Sequence, residues 1–211
     1  MGIIISAIIC TYNRYGYLRK AINSLIEQTF NNSKYEIIIV DNGSISDIKG
    51  IIANDFSHVE NLKYIREPKL GLSIARNRGW QEAKGKYVAF LDDDAIAAPD
   101  WLEKIVENFE IVKPMPGCIG GKVEPIWESE RPKWLSNKMA GTLTIIDLSE
   151  KPIFLTDKKK NIAGANMAFP KDVLMRLGGF QVNLGRKGKK LLSNEENLLR
   201  QNLIEEGYEI F

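Results

Sequence analysis

Hydrophobic positions in the first half of the chain follow two alternating habits. Short continuous apolar runs at 3–10, 35–40 and 87–91 are rich in Ile, Val, Leu and aromatics and read as strands buried on both faces. Between them apolar residues recur at helical spacing, as with Leu18, Ala21, Ile22, Leu25 and Ile26 within 15–28. Helices are also predicted over 45–56, 72–83 and from Pro99 through 112, proline being suited to a first turn. Gly85-Lys86 marks a helix stop, and 62–66 reads as a weaker third strand. Strands alternating with helices predict an α/β fold with a mostly parallel central sheet and helices on both faces. Ligands of such sheets bind beyond the carboxyl ends of the strands. Four polar clusters obey that rule: Thr11-Tyr12-Asn13-Arg14, Asp41, Glu67 and Asp92-Asp93-Asp94 each follow a strand.

After Met115-Pro116-Gly117 the alternation fades. Strands are predicted over 118–123, 142–148 and 161–169, the last interrupted by Gly164, with an irregular Trp- and Pro-rich excursion over 125–135. A short helix over 172–177 leads to a turn at Gly178-Gly179-Phe180. A last helix is predicted over 193–206, with Ser193 as N-cap and Glu196 three residues on, as in a capping box. A strand begins at 208–211, and the natural protein is expected to continue past it.

Composition narrows the function. The 211 residues are enough for one domain with a sizeable core. A net charge of +2 lacks the basic excess of a nucleic-acid binder, so none is expected. The basic runs 158–160 and 186–190 read as solvated loops, or alternatively as loops facing a diphosphate, an acidic acceptor or a membrane surface. Cys10 and Cys118 sit in apolar runs and read as small buried residues, which fits a reducing cytoplasm. No stretch is long and apolar enough to span a bilayer, which leaves room for peripheral contact at its inner face. With His58 as the only histidine, zinc sites and Ser-His-Asp arrangements are hard to build.

Each polar cluster has a chemical and a plain reading. Three adjacent carboxylates repel one another unless a cation or water relieves them, and hard oxygens suit Mg²⁺ or Mn²⁺ bridging phosphates; the plain alternative is a solvated acidic turn. Asp41 can accept from a base or ribose, or close an Asx-turn with Gly43. Tyr12 offers a stacking face and Arg14 a guanidinium for a diphosphate, while Thr11 or Asn13 can equally cap a helix. Arg76 sits in the first turns of a helix that follows Gly71, where anions are attracted, or it is an ordinary surface arginine. Glu195 and Glu196 lie about 100° apart on their helix, so one of them can face a cleft as a general base; the alternative is capping and pairing with the helix dipole. Trp127, Pro132 and Trp134 lie where an acceptor loop would be, and are equally packing residues.

Taken together, 9–14, 40–44, 71–79, 90–94, 164–169, 178–180 and Glu195-Glu196 resemble family 2 glycosyltransferases of the GT-A fold, in order and spacing, over roughly 3–211. The resemblance implies one domain, with a nucleotide-sugar-binding half at 1–116 and an acceptor and catalytic-base half at 117–211. It implies a donor that is most often UDP-linked, lined by Thr11, Tyr12 and Arg14, with Asp41 on the base and Arg76 near the base or diphosphate. It makes Asp94 the metal ligand of a DxD element, with Asp92 and Asp93 contacting ribose or supporting the Mn²⁺ or Mg²⁺. The turn Gly164, Ala165, Asn166 and Met167 would face donor sugar and acceptor, its backbone amides donating. The base falls on Glu196, with Glu195 beside it, where the family more often has Asp. Residues 183–192 form a basic, glycine-containing insert, expected to be a flap near the acceptor. The implied reaction is inverting transfer of a sugar to a hydroxyl of a glycan, lipid-linked or other acceptor, in polysaccharide or glycan assembly. The competing reading is a sugar-nucleotide-binding protein without transfer activity. A nucleotidyltransferase or dinucleotide enzyme is disfavoured, since the chain has neither G-x-G-x-x-G after its first strand nor G-x-x-x-x-G-K-[ST].

Overall fold

The computed structural model describes residues 2–136, 139, 143–156, 162–187 and 192–211. The apolar runs form the middle of a six-stranded sheet: β1 (Ile5–Thr11), β2 (Tyr35–Asp41), β3 (Leu62–Arg66) and β4 (Tyr87–Asp92) are joined by two later strands, β5 (Ile119–Gly120) and β6 (Asn166–Pro170). The order is β3-β2-β1-β4-β6-β5. β1 runs parallel to β2 and β4, and β2 parallel to β3. β6 is antiparallel to both β4 and β5.

The period of two sorts each central strand between two cores. Ile5, Ala7 and Ile9 of β1, Tyr35, Ile37 and Ile39 of β2, and Tyr87, Ala89 and Leu91 of β4 pack on α1 (Tyr15–Ile26), α2 (Ile48–Asp55) and α4 (Trp101–Ile111). Ile8, Ile38, Val40, Val88 and Phe90 point the other way, onto α3 (Leu72–Glu82), α5 (Lys171–Leu177) and α6 (Glu195–Glu205). Phe90, Phe169 and Phe180 meet edge to face in this second core, with centroids 5.2–6.1 Å apart, a favoured aromatic geometry.

Glycine allows two close approaches. A Cβ on Gly79 would lie 2.6 Å from Ile8 Cγ2, so the helix rests directly on β1. α3 ends at Glu82, before the expected stop at Gly85-Lys86; a Cβ on Gly85 would lie 2.7–2.8 Å from backbone atoms of Ile5, Ser6 and Tyr87, so glycine lets the chain pass closely between β1 and β4 there.

Four expectations in the second half need correction. The last helix starts at Glu195, not Ser193: its N-cap is Asn194 at φ 80°, without a side-chain cap bond, so no capping box forms. The strand expected over 118–123 shrinks to β5, flanked by single bridges at Cys118–Ile210 and Val123–Ile146. Of the strand expected over 142–148, position 142 lies outside the described residues, and the remainder contributes that one bridge at Ile146. The expected final strand is likewise reduced to the bridge at Ile210. Among the described residues no helix is long and apolar enough to cross a membrane.

Candidate active site

Parallel register gathers the strand-end polar residues along one edge. Thr11 pairs with Asp41, Asp41 with Arg66, and Cys10 with Asp92. Asp41, fully buried, accepts from the Ser44 backbone N–H at 2.8 Å, the Tyr64 hydroxyl at 2.7 Å and Arg66 at 3.2 Å. Its Asx-type turn is therefore real, and its carboxylate is already engaged. Tyr64 and Arg66 escaped the sequence reading. Their signal is the two-residue spacing on β3, which sets both on one strand face. Burial, then the bond to Asp41, pushes the Tyr64 phenol up to about 12.

Asn13 adopts the left-handed conformation at φ 57°, which asparagine tolerates. Its amide donates to Ser44 Oγ at 2.9 Å, and its side chain accepts from the Ile45 N–H at 2.8 Å. This turn leaves Tyr12 exposed and carries Arg14 over the triple aspartate. Arg14 donates to Asp93 at 3.0 Å and to Asp94 at 2.7 Å, while Thr11 donates to Asp93 at 2.8 Å. Asp93 is thus buried and turned inward between Thr11 and Arg14, a supporting position. Burial outweighs these two partners and raises its carboxyl to about 6. Asp94 is exposed and Asp92 half-buried. Burial pushes Asp92 up against the pull of Arg76.

Arg76, expected near the base or diphosphate, is held among protein groups. Only 3% exposed, it donates to Glu195 at 2.6 Å, to the Gly164 carbonyl at 3.3 Å and to Asp92 at 3.4 Å. Its guanidinium lies over the Phe180 ring, 5.5 Å from the centroid. Glu195 is accordingly buried, while Glu196, one position on, is partly exposed. Burial, then the charge of Glu195, raises the Glu196 carboxyl above its ordinary value, which strengthens it as a base.

The turn before β6 is divided. Gly164 and Ala165 are partly exposed near Arg76. Asn166 accepts from Trp101 Nε1 at 2.9 Å and donates to the Lys122 carbonyl at 3.0 Å. Met167 is a correction: its side chain is fully buried in the second core opposite Phe90, because β6 has already begun there, so it does not face a cleft. The insert also departs from a free flap. Ser73 donates to the Leu184 carbonyl at 2.8 Å and the Leu72 N–H to the Arg186 carbonyl at 2.9 Å, so 184–186 is bound to the start of α3. Positions 188–191 of the insert and the run 158–160 lie outside the described residues. Trp127 and Trp134 are exposed, as is His58. Cys10 and Cys118 are free thiols raised by burial, Cys10 to about 12, so neither serves as a thiolate.

Among the described residues no three His, Cys, Asp or Glu groups converge on one point. Asp94 and Asp92 are nevertheless hard oxygen donors at the open edge. Mg²⁺ and Mn²⁺ commonly use one or two carboxylates and complete their shell with substrate phosphates and water. The pair fits an ion arriving with a phosphate rather than one held in a protein cage. An open depression of about 700 Å³ lies at the other end of β2 and β3, lined by Glu36, His58, Asn61, Lys63 and Lys84. Its buried acid, Glu36, already accepts from Ser6 and the Lys84 N–H, so the unsatisfied chemistry is at the carboxyl edge.

The glucosyl-dolichyl phosphate glucuronosyltransferase of Haloferax volcanii is 29% identical over 196 residues, spanning 91% of this chain and 60% of its own length. Glycosyltransferase GlyA of Streptococcus pneumoniae is 41% identical over 101 residues, 47% of this chain and 13% of its own. The chain thus spans 60% or less of these curated relatives. Among solved structures, S. aureus TarS 1-349 superposes with a TM-score of 0.75 at 17% identity, over 99% of this chain and 58% of that one. The mannosyltransferase PcManGT from Pyrobaculum calidifontis, in complex with GDP-Man and Mn²⁺, gives 0.70 at 21% identity, over 98% and 53%. These likenesses establish the fold as GT-A-type. The sequence model described as glycosyl transferase family 2 matches residues 6–178, from within β1 to the turn after α5, and so takes in the whole carboxyl edge of the sheet: this chain belongs to glycosyl transferase family 2.

Proposed function

We propose that the chain transfers a sugar from a nucleoside diphosphate donor, UDP-linked in the first instance, to an acceptor hydroxyl with inversion. One observation carries this reading: a carboxylate pair on α6 is tied through Arg76 to the same strand end that bears the triple aspartate. Tyr12 offers an exposed ring for the base, and Arg14 a guanidinium beside the edge where a diphosphate would lie. Asp94 and Asp92 would hold a divalent cation, which when bound supplies positive charge to the departing diphosphate. Glu196 takes the proton from the acceptor hydroxyl, whose oxygen bonds to the anomeric carbon as the bond to the diphosphate breaks. A single displacement of this kind inverts the centre.

Fold neighbours solved with UDP, UDP-GlcNAc and GDP-Man support a nucleotide-sugar donor and make GDP the second nucleotide to test. The Haloferax relative, named for a dolichyl phosphate-linked sugar, supports a lipid-linked acceptor in glycan assembly and with it a peripheral place at a membrane. The test is calorimetric titration of UDP, then GDP, with Mn²⁺ and again with excess chelator, in wild type and Asp94→Ala. Metal-dependent binding that weakens tenfold or more in the variant is expected. Absence of binding for both nucleotides would overturn the donor site. Glu196→Gln should abolish turnover and keep nucleotide affinity; unchanged turnover would remove Glu196 as the base.

A further inference from the structure

We propose that Arg76 is the positioning residue of the site, anchoring the start of α6 to the end of β4 and the turn before β6, and that it does not contact the donor. The inference rests on the reading of Glu196 as the base. Arg76 joins three parts of the fold through one planar group. Nη1 donates to Glu195 Oε1 at 2.6 Å, while Nη2 lies 3.3 Å from the Gly164 carbonyl and 3.4 Å from Asp92 Oδ1. A guanidinium suits this work because its donors are fixed in a fork, whereas an ammonium is a point charge on a flexible stem.

The surroundings are shaped around that contact. A Cβ on Gly164 would lie 2.7 Å from Nη2, so glycine lets the turn approach the guanidinium. A Cβ on Gly185, at φ 87°, would lie 2.7 Å from Ser73 Oγ and 3.5 Å from Glu195 Cδ, so the insert closes over the same carboxylate. Phe180 covers one face of the guanidinium. With 3% of its surface exposed and its contacts on protein groups, Arg76 presents little to a nucleotide.

A buried ion pair is weak grounds for stability, since desolvating both charges offsets their attraction. This one is not even fully satisfied: Glu195 Oε2 is buried without a hydrogen-bond partner among the described residues. What the pair does provide is placement. Fixing Glu195 fixes the first turn of α6, and with it the azimuth of Glu196 at the next position. A misplacement of about 1 Å at a reacting group can cost about 100-fold in rate.

The test compares wild type, Arg76→Met and Arg76→Lys, measuring kcat and KM as nucleotide release from UDP-GlcNAc, UDP-glucuronic acid and GDP-mannose, and UDP and GDP affinity by calorimetry. Rates are taken per folded molecule. Arg76→Met should lower kcat about 100-fold, with nucleotide affinity changed less than about threefold, and Arg76→Lys should recover at least about tenfold of the loss. Should Arg76→Met not fold, Glu195→Ala cuts the same tie while leaving Arg76 on Asp92, and the same split is expected. A tenfold or larger loss of nucleotide affinity at unchanged kcat would make Arg76 a donor contact and overturn the proposal. So would an unchanged kcat, or a lysine variant as impaired as the methionine one. If wild type binds nucleotide but turns over none of the donors, it is the transferase reading that fails, and this inference falls with it.

Discussion

Replacing Asp41 by alanine tests how far its carboxylate organises the strand edge. In the folded chain the carboxylate accepts from the Ser44 N–H, the Tyr64 hydroxyl and Arg66. Alanine strands the first donor completely, because Ser44 is buried. A buried donor without an acceptor costs about 1–3 kcal/mol. Tyr64 is only partly buried and recovers some hydration, so its share falls at the lower end of that range. Arg66 has half its side chain in solvent and contributes about 0–1 kcal/mol, as surface pairs do. The expected loss is therefore about 2–4 kcal/mol, against a total of about 5–15 kcal/mol for an ordinary domain. Asp41→Ala should stay folded with a clearly lower urea midpoint. Asp41→Asn, which keeps an acceptor for the Ser44 N–H, should recover roughly half of the loss. Equilibrium urea unfolding reads both, and UDP calorimetry on the same samples tests whether Asp41 also bears on nucleotide binding. A loss below about 1 kcal/mol in the alanine variant would refute the claim that the carboxylate organises this edge.

Two glycines should respond with opposite sign. Gly79→Ala forces a Cβ to 2.6 Å from the stiff, β-branched Ile8 and should cost about 1–3 kcal/mol as overpacking; Gly16→Ala in α1 meets nothing within 4 Å and should gain up to about 1 kcal/mol from helix propensity. Thermal melts showing the two shifting together would be wrong for this packing. The phenols supply a pH test. Tyr15 and Tyr64 are held to about 12 by burial and by Asp55 and Asp41. Because the folded state favours their neutral form, their stabilisation is complete below about pH 10 and is lost as pH rises through 12. Phenolate absorbance should lag accordingly, and Tyr64→Phe should remove signal only from the late limb; a difference appearing near pH 10 would contradict the buried bond to Asp41.

The fold was legible where local pattern and final environment agree. β3 was expected over 62–66 and lies there, and the central strands were visible as unbroken apolar runs because both faces are covered. The gathering of the polar strand ends along one edge followed, since parallel strands share a carboxyl end. Legibility ended where neighbours decide the structure. The apolar run at 161–169 looks like one strand, but β6 begins at Asn166, where pairing with Leu91 starts. Ser193 and Glu196 have the spacing of a capping box, yet the left-handed turn at Asn194 starts the helix elsewhere. Arg76 and Glu195 are 119 positions apart, and no periodicity links them. Met167 belongs to the turn's motif in sequence, whereas its side chain obeys the strand period and enters the core.

The two halves of the site therefore rest on different supports. Thr11, Asp41 and Asp92 are set by backbone register, with Thr11 opposite Asp41 and Cys10 opposite Asp92, and moving any of them means slipping a strand whose two faces are both buried. Glu196 is not set by strand register: α6 packs against the sheet, and the contacts of Arg76 with Glu195, Gly164 and Asp92 tie its first turn to the strand ends. On the proposed reading, small side-chain changes at Arg76, Gly164 or Gly185 shift Glu196 while the strand ends stay in place. The proposed function then predicts that substitutions around Arg76 act mainly on the rate of transfer, and substitutions along the strand ends on nucleotide binding and stability together. The distance between the two supports is one guanidinium wide, and it sets a carboxylate pair from the last helix beside a sheet edge assembled from the first strands.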